Sequence, residues 1–107
     1  MPENLIEVTD DNFEELRAKY DKLVIDCWAE WCGPCKMIKP AVEELAETYQ
    51  DSIAFGTLDV DMNPNTSNEM DIMAIPTILY FKDGKLVDET VGVVPKQAIE
   101  DVIKQKL

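Results

Sequence analysis

The chain has no histidine, and its 107 residues include only three cysteines. Zinc as a rule takes four ligands, a set that this thiol and imidazole inventory does not supply, so no metal is expected. An odd cysteine count also argues against a framework of structural disulfides. No apolar stretch approaches the ~20 residues that cross a bilayer. Met1-Pro2-Glu3-Asn4 lacks the basic and apolar segments of a secretory signal, and the expectation is a cytoplasmic protein. Basic residues are scarce, ten against 22 acidic ones, for a formal net charge of -12. Nucleic acid and anionic membrane surfaces would be repelled, so neither is expected as a partner. The acidity serves solubility, or else steers the chain toward a basic partner. Repeats, linkers and low-complexity segments are absent.

What is present fits one domain spanning 1–107, with apolar and charged shares of 46% and 30% that are ordinary for a globular protein. Leu5 to Val8 reads as a short strand. Thr9 is a candidate N-cap, and Asp10 and Asp11 favour a helix start, with Phe13, Leu16 and Tyr20 at helical spacing. Leu23 to Trp28 is an almost unbroken apolar run, as in a central strand covered on both faces. Ile38, Ala41, Val42, Leu45, Ala46 and Tyr49 then recur with helical period around Pro40, which should kink the helix. Ile53 to Val60 reads as a buried strand and Asn63-Pro64-Asn65 as a turn before a short helix. Thr77 to Phe81 and Leu86 to Val91 flank Asp83-Gly84, a hairpin signal. Pro95 starts a last helix with Ile99, Val102 and Ile103 on one face. The fold class is therefore α/β: a central mixed five-stranded sheet flanked by four helices, parallel early and antiparallel in the final hairpin.

The chemistry concentrates in Trp31-Cys32-Gly33-Pro34-Cys35, between the central strand and the long helix. A thiol at a helix start faces unpaired N–H groups and the positive dipole end, both of which stabilise thiolate. Disulfide exchange needs one exposed thiol to attack and a second to resolve the mixed disulfide. Cys32 fits the first role. Cys35, expected to be the more buried, fits the second. Gly33 allows close backbone approach, and Pro34 in the first turn leaves no N–H unsatisfied. A zinc half-site is the competing reading.

Asp26 is an acid inside Leu23-Val24-Ile25-Asp26-Cys27-Trp28. Buried, its pKa would rise, and it could exchange the proton that Cys35 must lose; at a strand end it would simply face solvent. Ile75-Pro76 precedes a strand and could be cis, holding the backbone open for an extended peptide, although local sequence alone favours trans. Trp31 is a candidate client contact, whereas Trp28 and Cys27 read as core residues. Met37, Met62, Met70 and Met73 share no single helical period and read as core and loop filling.

Asp26, Trp28 through Lys36, Pro40, Asp61, Asn63-Pro64, Ile75-Pro76-Thr77, Gly84 and Gly92 together resemble the thioredoxin family over essentially the whole chain. The resemblance implies the thioredoxin fold and a dithiol that reduces disulfides in protein clients. It implies Cys32 as nucleophile, Cys35 as resolving thiol, Asp26 as buried proton acceptor, a cis Pro76, and a client rim formed by Trp31, Ile75, Pro76 and Gly92. No bound cofactor is implied. The resemblance further implies that electrons come to the redox-active disulfide from NADPH or ferredoxin through a separate thioredoxin reductase, flavin- or ferredoxin-linked, and the chain is expected to be a monomer. Rival readings are a non-catalytic binding module of the same fold and a metal or iron–sulfur site shared between two chains.

The sequence departs from the family pattern at several positions. Cys27 stands where phenylalanine is usual. Thr57 replaces a lysine common beside the buried acid, which should make Asp26 harder to ionise. Asp71 replaces a common glycine, and Met73 and Val93 make the client rim more apolar than in relatives with Arg and Ala.

Overall fold

The computed structural model describes residues 5–107. Residues 1–4, on which the expectation about a secretory signal rests, lie outside them. Alternation of β1 (Leu5–Val8), α1 (Phe13–Lys19), β2 (Lys22–Trp28), α2 (Gly33–Thr48), β3 (Ala54–Asp59) and α3 (Pro64–Glu69) is followed by β4 (Thr77–Lys82), β5 (Lys85–Val91) and α4 (Lys96–Lys106). The sheet order is β1-β3-β2-β4-β5. β3 runs parallel to both β1 and β2, whereas β4 is antiparallel to β2 and β5 to β4. This is the mixed sheet expected from the helical crossovers and the final hairpin.

Strand alternation divides β2 between two apolar layers. Val24 joins Phe55, Ile78 and Tyr80 against Ile38, Val42 and Leu45 of α2 and Ile99 and Ile103 of α4. Leu23, Ile25 and Cys27 face the other way, packing with Phe13 and Leu16 of α1 and with Leu79 and Phe81. Both faces are covered, which is why the run has no polar period. Asp26 shares the parity of Val24 and so belongs to the face carrying α2. Cys27 behaves as the small hydrophobe expected, and burial pushes its thiol pKa well up.

Local sequence chemistry sets the turns. Asp83 and Gly84 both have positive φ, 53° and 81°, as the two central residues of a type I′ hairpin require. Asp71 sits at φ 54°, a conformation that aspartate tolerates better than most residues. Pro40 lies within α2, and the helix continues past it to Thr48.

Thr9 acts as the expected cap. Thr9 and Asn12 bond reciprocally, each backbone N–H donating to the other's side-chain oxygen, and the Phe13 N–H donates to the Thr9 carbonyl. This capping box lies one turn ahead of Phe13, where the regular helix begins, and Asn12 itself makes no side-chain cap hydrogen bond. The Asp10 carboxylate likewise accepts from the Asn65 and Thr66 backbone N–H groups at the start of α3, so its charge complements a helix distant in sequence.

Gly56 on β3 has no room for a side chain. A Cβ there would lie 2.6 Å from Val8 Cγ2 and 3.2 Å from the Ile6 carbonyl oxygen. Gly56→Ala is expected to cost about 1–3 kcal/mol through overpacking. Urea unfolding checks this, and an unchanged midpoint would refute it.

Candidate active site

The dithiol motif lies where β2 ends and α2 begins. Cys32 is the N-cap of α2 with extended backbone (φ -86°, ψ 104°), and Gly33 and Pro34 open the first turn. The Cys35 backbone N–H donates to Cys32 Sγ at 3.1 Å. The sulfur thus takes the place of a capping oxygen and receives both a donor and the helix dipole. Cys32 and Cys35 are joined as a disulfide across a Cα–Cα distance of 5.3 Å.

Both cysteines are almost fully enclosed, 2% exposed for Cys32 and 3% for Cys35. This corrects the expectation that Cys35 is the more buried of the two. With the disulfide closed, both pack beside Ala29 against Trp28, Val60 and Ile75. What separates them is the space each one lines. Cys32 borders a surface groove of about 310 Å³ with Trp31, Pro34, Ile72, Met73 and Ile75. Cys35 borders a different cavity, of about 470 Å³, shared with Asp26, Trp28, Lys39 and Thr57.

Asp26 is 3% exposed, which removes the solvent-facing alternative. Its Oδ1 has no hydrogen-bond partner among the described residues. Burial raises its pKa to about 7, with the Lys39 charge pulling in the opposite direction. Thr57 is its register partner on β3 and supplies no charge. The carboxyl is therefore poised to change protonation state near neutrality, in the same cavity as Cys35.

The groove side gathers the other residues singled out in the sequence. Trp31 is 71% exposed and its Nε1–H donates to Asp61 Oδ2 at 2.7 Å, which holds an apolar ring at the surface. The Ile75–Pro76 bond is cis, as the family resemblance implies and against the local-sequence preference. Gly92, at φ 87°, donates its N–H to the Pro76 carbonyl at 2.8 Å. It adjoins Pro76 rather than lining the groove itself. The methionines depart most from expectation: Met37, Met62 and Met73 are exposed, Met73 at 86%, and only Met70 packs against a core layer. Met73 on the groove is recognisable in the sequence only through the family pattern, because a lone exposed methionine has no periodic signature. Among the described residues, no group of three or more His, Cys, Asp or Glu is placed to hold a metal ion. No helix among them is long and apolar enough to cross a membrane.

The thioredoxin family model matches residues 4–105. The chain belongs to the thioredoxin family. It is 48% identical to thioredoxin of Staphylococcus haemolyticus and 43% identical to thioredoxin of Staphylococcus aureus. Each alignment spans 103 residues, 96% of this chain and 98% of the relative. In structure it is similar to oxidised mitochondrial thioredoxin 3 of Saccharomyces cerevisiae, with a TM-score of 0.87 at 38% identity, covering 94% of this chain and 93% of that one. It is also similar to a chain from a structural study of thiol resolution in yeast mitochondrial 1-Cys peroxiredoxin via glutathione/thioredoxin systems. There the TM-score is 0.88 at 36% identity, with 96% of both chains covered. Family membership and the disulfide at the start of α2 make this chain a dithiol–disulfide oxidoreductase that exchanges disulfides through Cys32 and Cys35.

Proposed function

We propose that the chain reduces protein disulfides, with Cys32 as the attacking thiolate, Cys35 as the resolving thiol and Asp26 as the group that accepts the Cys35 proton. The observation that carries this assignment is the division of the two sulfurs between two spaces. Cys32 opens on the apolar surface groove, and Cys35 on the cavity holding the neutral-range carboxyl.

In the reduced protein, Cys32 thiolate attacks one sulfur of a client disulfide. An S–S bond to the client forms, and the other client sulfur leaves as thiolate. Cys35 then gives its proton to Asp26 carboxylate and attacks Cys32 Sγ. The mixed disulfide breaks, the second client thiolate departs, and the Cys32–Cys35 disulfide forms. Two electrons pass to the client. Trp31, Met73 and Ile75 supply apolar contact for an extended client segment, and Pro76 with Gly92 borders it. No bound cofactor takes part. A separate reductase, flavin- or ferredoxin-linked, returns two electrons to the disulfide.

Reduction of insulin disulfides tests this reading with three electron sources: dithiothreitol, an NADPH-linked flavoprotein reductase and a ferredoxin-linked reductase. Turnover is expected with dithiothreitol and with one of the two reductases. Activity with dithiothreitol alone would refute the proposed recharging route, and inactivity with all three would refute the function.

A further inference from the structure

The cavity beside Cys35 presents an electrostatic problem. Asp26 lies beneath α2 with an unpartnered oxygen, and its strand neighbour Thr57 is neutral. Burial without a partner disfavours the charged form of such an acid, and only the charged form can accept a proton from a thiol. Something must favour its charged form. Two cations line the cavity, Lys36 and Lys39, together with one further anion, Glu30. All three are exposed at the surface. Lys39 lies four residues beyond Cys35, and residues i and i+4 of a helix stand one above the other on one face. Lys36 is next in sequence to Cys35 and so is rotated away from that line. Glu69 and Glu14 pair with Arg17, and Glu44 pairs with Lys96. Among the described residues Lys39 makes no ion pair.

We infer that Lys39 is a positioning charge for the exchange reaction: placed by α2 at the cavity shared by Cys35 and Asp26, it determines how readily the buried carboxyl ionises. Its position on the helix compensates for the neutral residue that this chain carries at position 57 on β3. The direction agrees with the electrostatics of the site, where Lys39 opposes the rise that burial imposes on Asp26. The groups facing Asp26 are then Lys36, Lys39 and Cys35 from α2, Glu30 from the β2–α2 connection and Thr57 from β3. Among these, Lys39 combines positive charge with a place on the Cys35 side of α2, at the cavity that holds the carboxyl. The consequence for rate rests on the proposed role of Asp26, but the consequence for titration does not.

The test is a carbon-detected carboxyl titration of Asp26 in the oxidised protein, followed by the pH profile of client release. Lys39→Met should raise the Asp26 midpoint by about one pH unit. Lys39→Arg should leave it near that of the parent, and Lys36→Met should move it less than Lys39→Met does. Adding Thr57→Lys to Lys39→Met should bring the midpoint back down. Because Lys39 is at the surface, the single variants are expected to fold, and they remain decisive if the variant carrying Thr57→Lys does not. In the rate profile, a rise of that size lowers the ionised fraction at pH 6 about tenfold, so release from Lys39→Met should slow by about that factor there and recover at high pH. A midpoint unmoved by Lys39→Met, or moved equally by Lys36→Met, would overturn the inference. A shifted midpoint with an unshifted rate profile would leave Lys39 as inferred and overturn the proton-acceptor role of Asp26.

Discussion

Cys35→Ser is expected to react once with a disulfide client and then remain attached to it through Cys32. Client release in the parent is intramolecular: the second sulfur sits one helical turn from the first, across 5.3 Å between α-carbons. Well-oriented intramolecular groups act at very high effective concentration, whereas a free thiol in the assay is present at millimolar levels. Losing Cys35 should therefore slow release on the order of a thousandfold or more, with first attack much less affected. Non-reducing electrophoresis and mass spectrometry should show a one-to-one adduct that reducing agent dissolves. Cys32→Ser should trap nothing, because the remaining thiol opens on the cavity of Asp26 and not on the groove. Equal trapping by the two variants would reverse the assignment of roles.

The same division between groove and cavity marks how far the sequence can be read. The central strand, the long helix and the closing hairpin are legible because each carries a signal within a few residues. These are the unbroken apolar run at Leu23–Trp28, the helical period around Pro40, and the Asp83-Gly84 pair at positive φ. The dithiol motif is legible for the same reason. Asp26 is not, in one respect. A strand buried on both faces has no polar period, so the sequence does not say whether the acid points inward or lies at an exposed end. The layer formed by α2 and α4 settles that. Thr9 is legible as a cap because its hydroxyl can accept a backbone N–H three residues on, and Asn12 there returns the bond. The Asp10 contacts with Asn65 and Thr66 join residues 55 and 56 positions apart, beyond any local pattern. The methionines read as filling because apolar side chains favour burial, whereas Met73 borders a groove that exists only once α3, the cis-Pro76 loop and the motif are assembled.

Asp26→Asn should make the oxidised protein more stable at alkaline pH and nearly unchanged at pH 4. In the folded chain the carboxyl has its pKa raised from 3.8 to about 7, chiefly by burial and partly offset by Lys39. A raised folded-state value means that the folded chain binds the proton more tightly than the unfolded chain does. The protonated acid is tolerated below about pH 4. As pH climbs from there the unfolded chain ionises first, and stability falls until the folded carboxyl has ionised too, a little above pH 7. A tenfold difference in proton affinity between the two states corresponds to about 1.4 kcal/mol, so this one group withdraws on the order of 4 kcal/mol across that window. For a domain whose total stability is about 5–15 kcal/mol, that is a large fraction. Asparagine keeps the shape and cannot ionise, so the difference in unfolding free energy between variant and parent should widen from about pH 4 to a little above pH 7 and then level off. Urea unfolding of both proteins with the Cys32–Cys35 disulfide intact measures it. A difference that stays constant across the window would mean that the acid ionises as easily inside the fold as outside it. The proton acceptor proposed for Cys35 would then lose its physical basis, because a carboxyl with an ordinary affinity for protons could not take one from a thiol near neutrality.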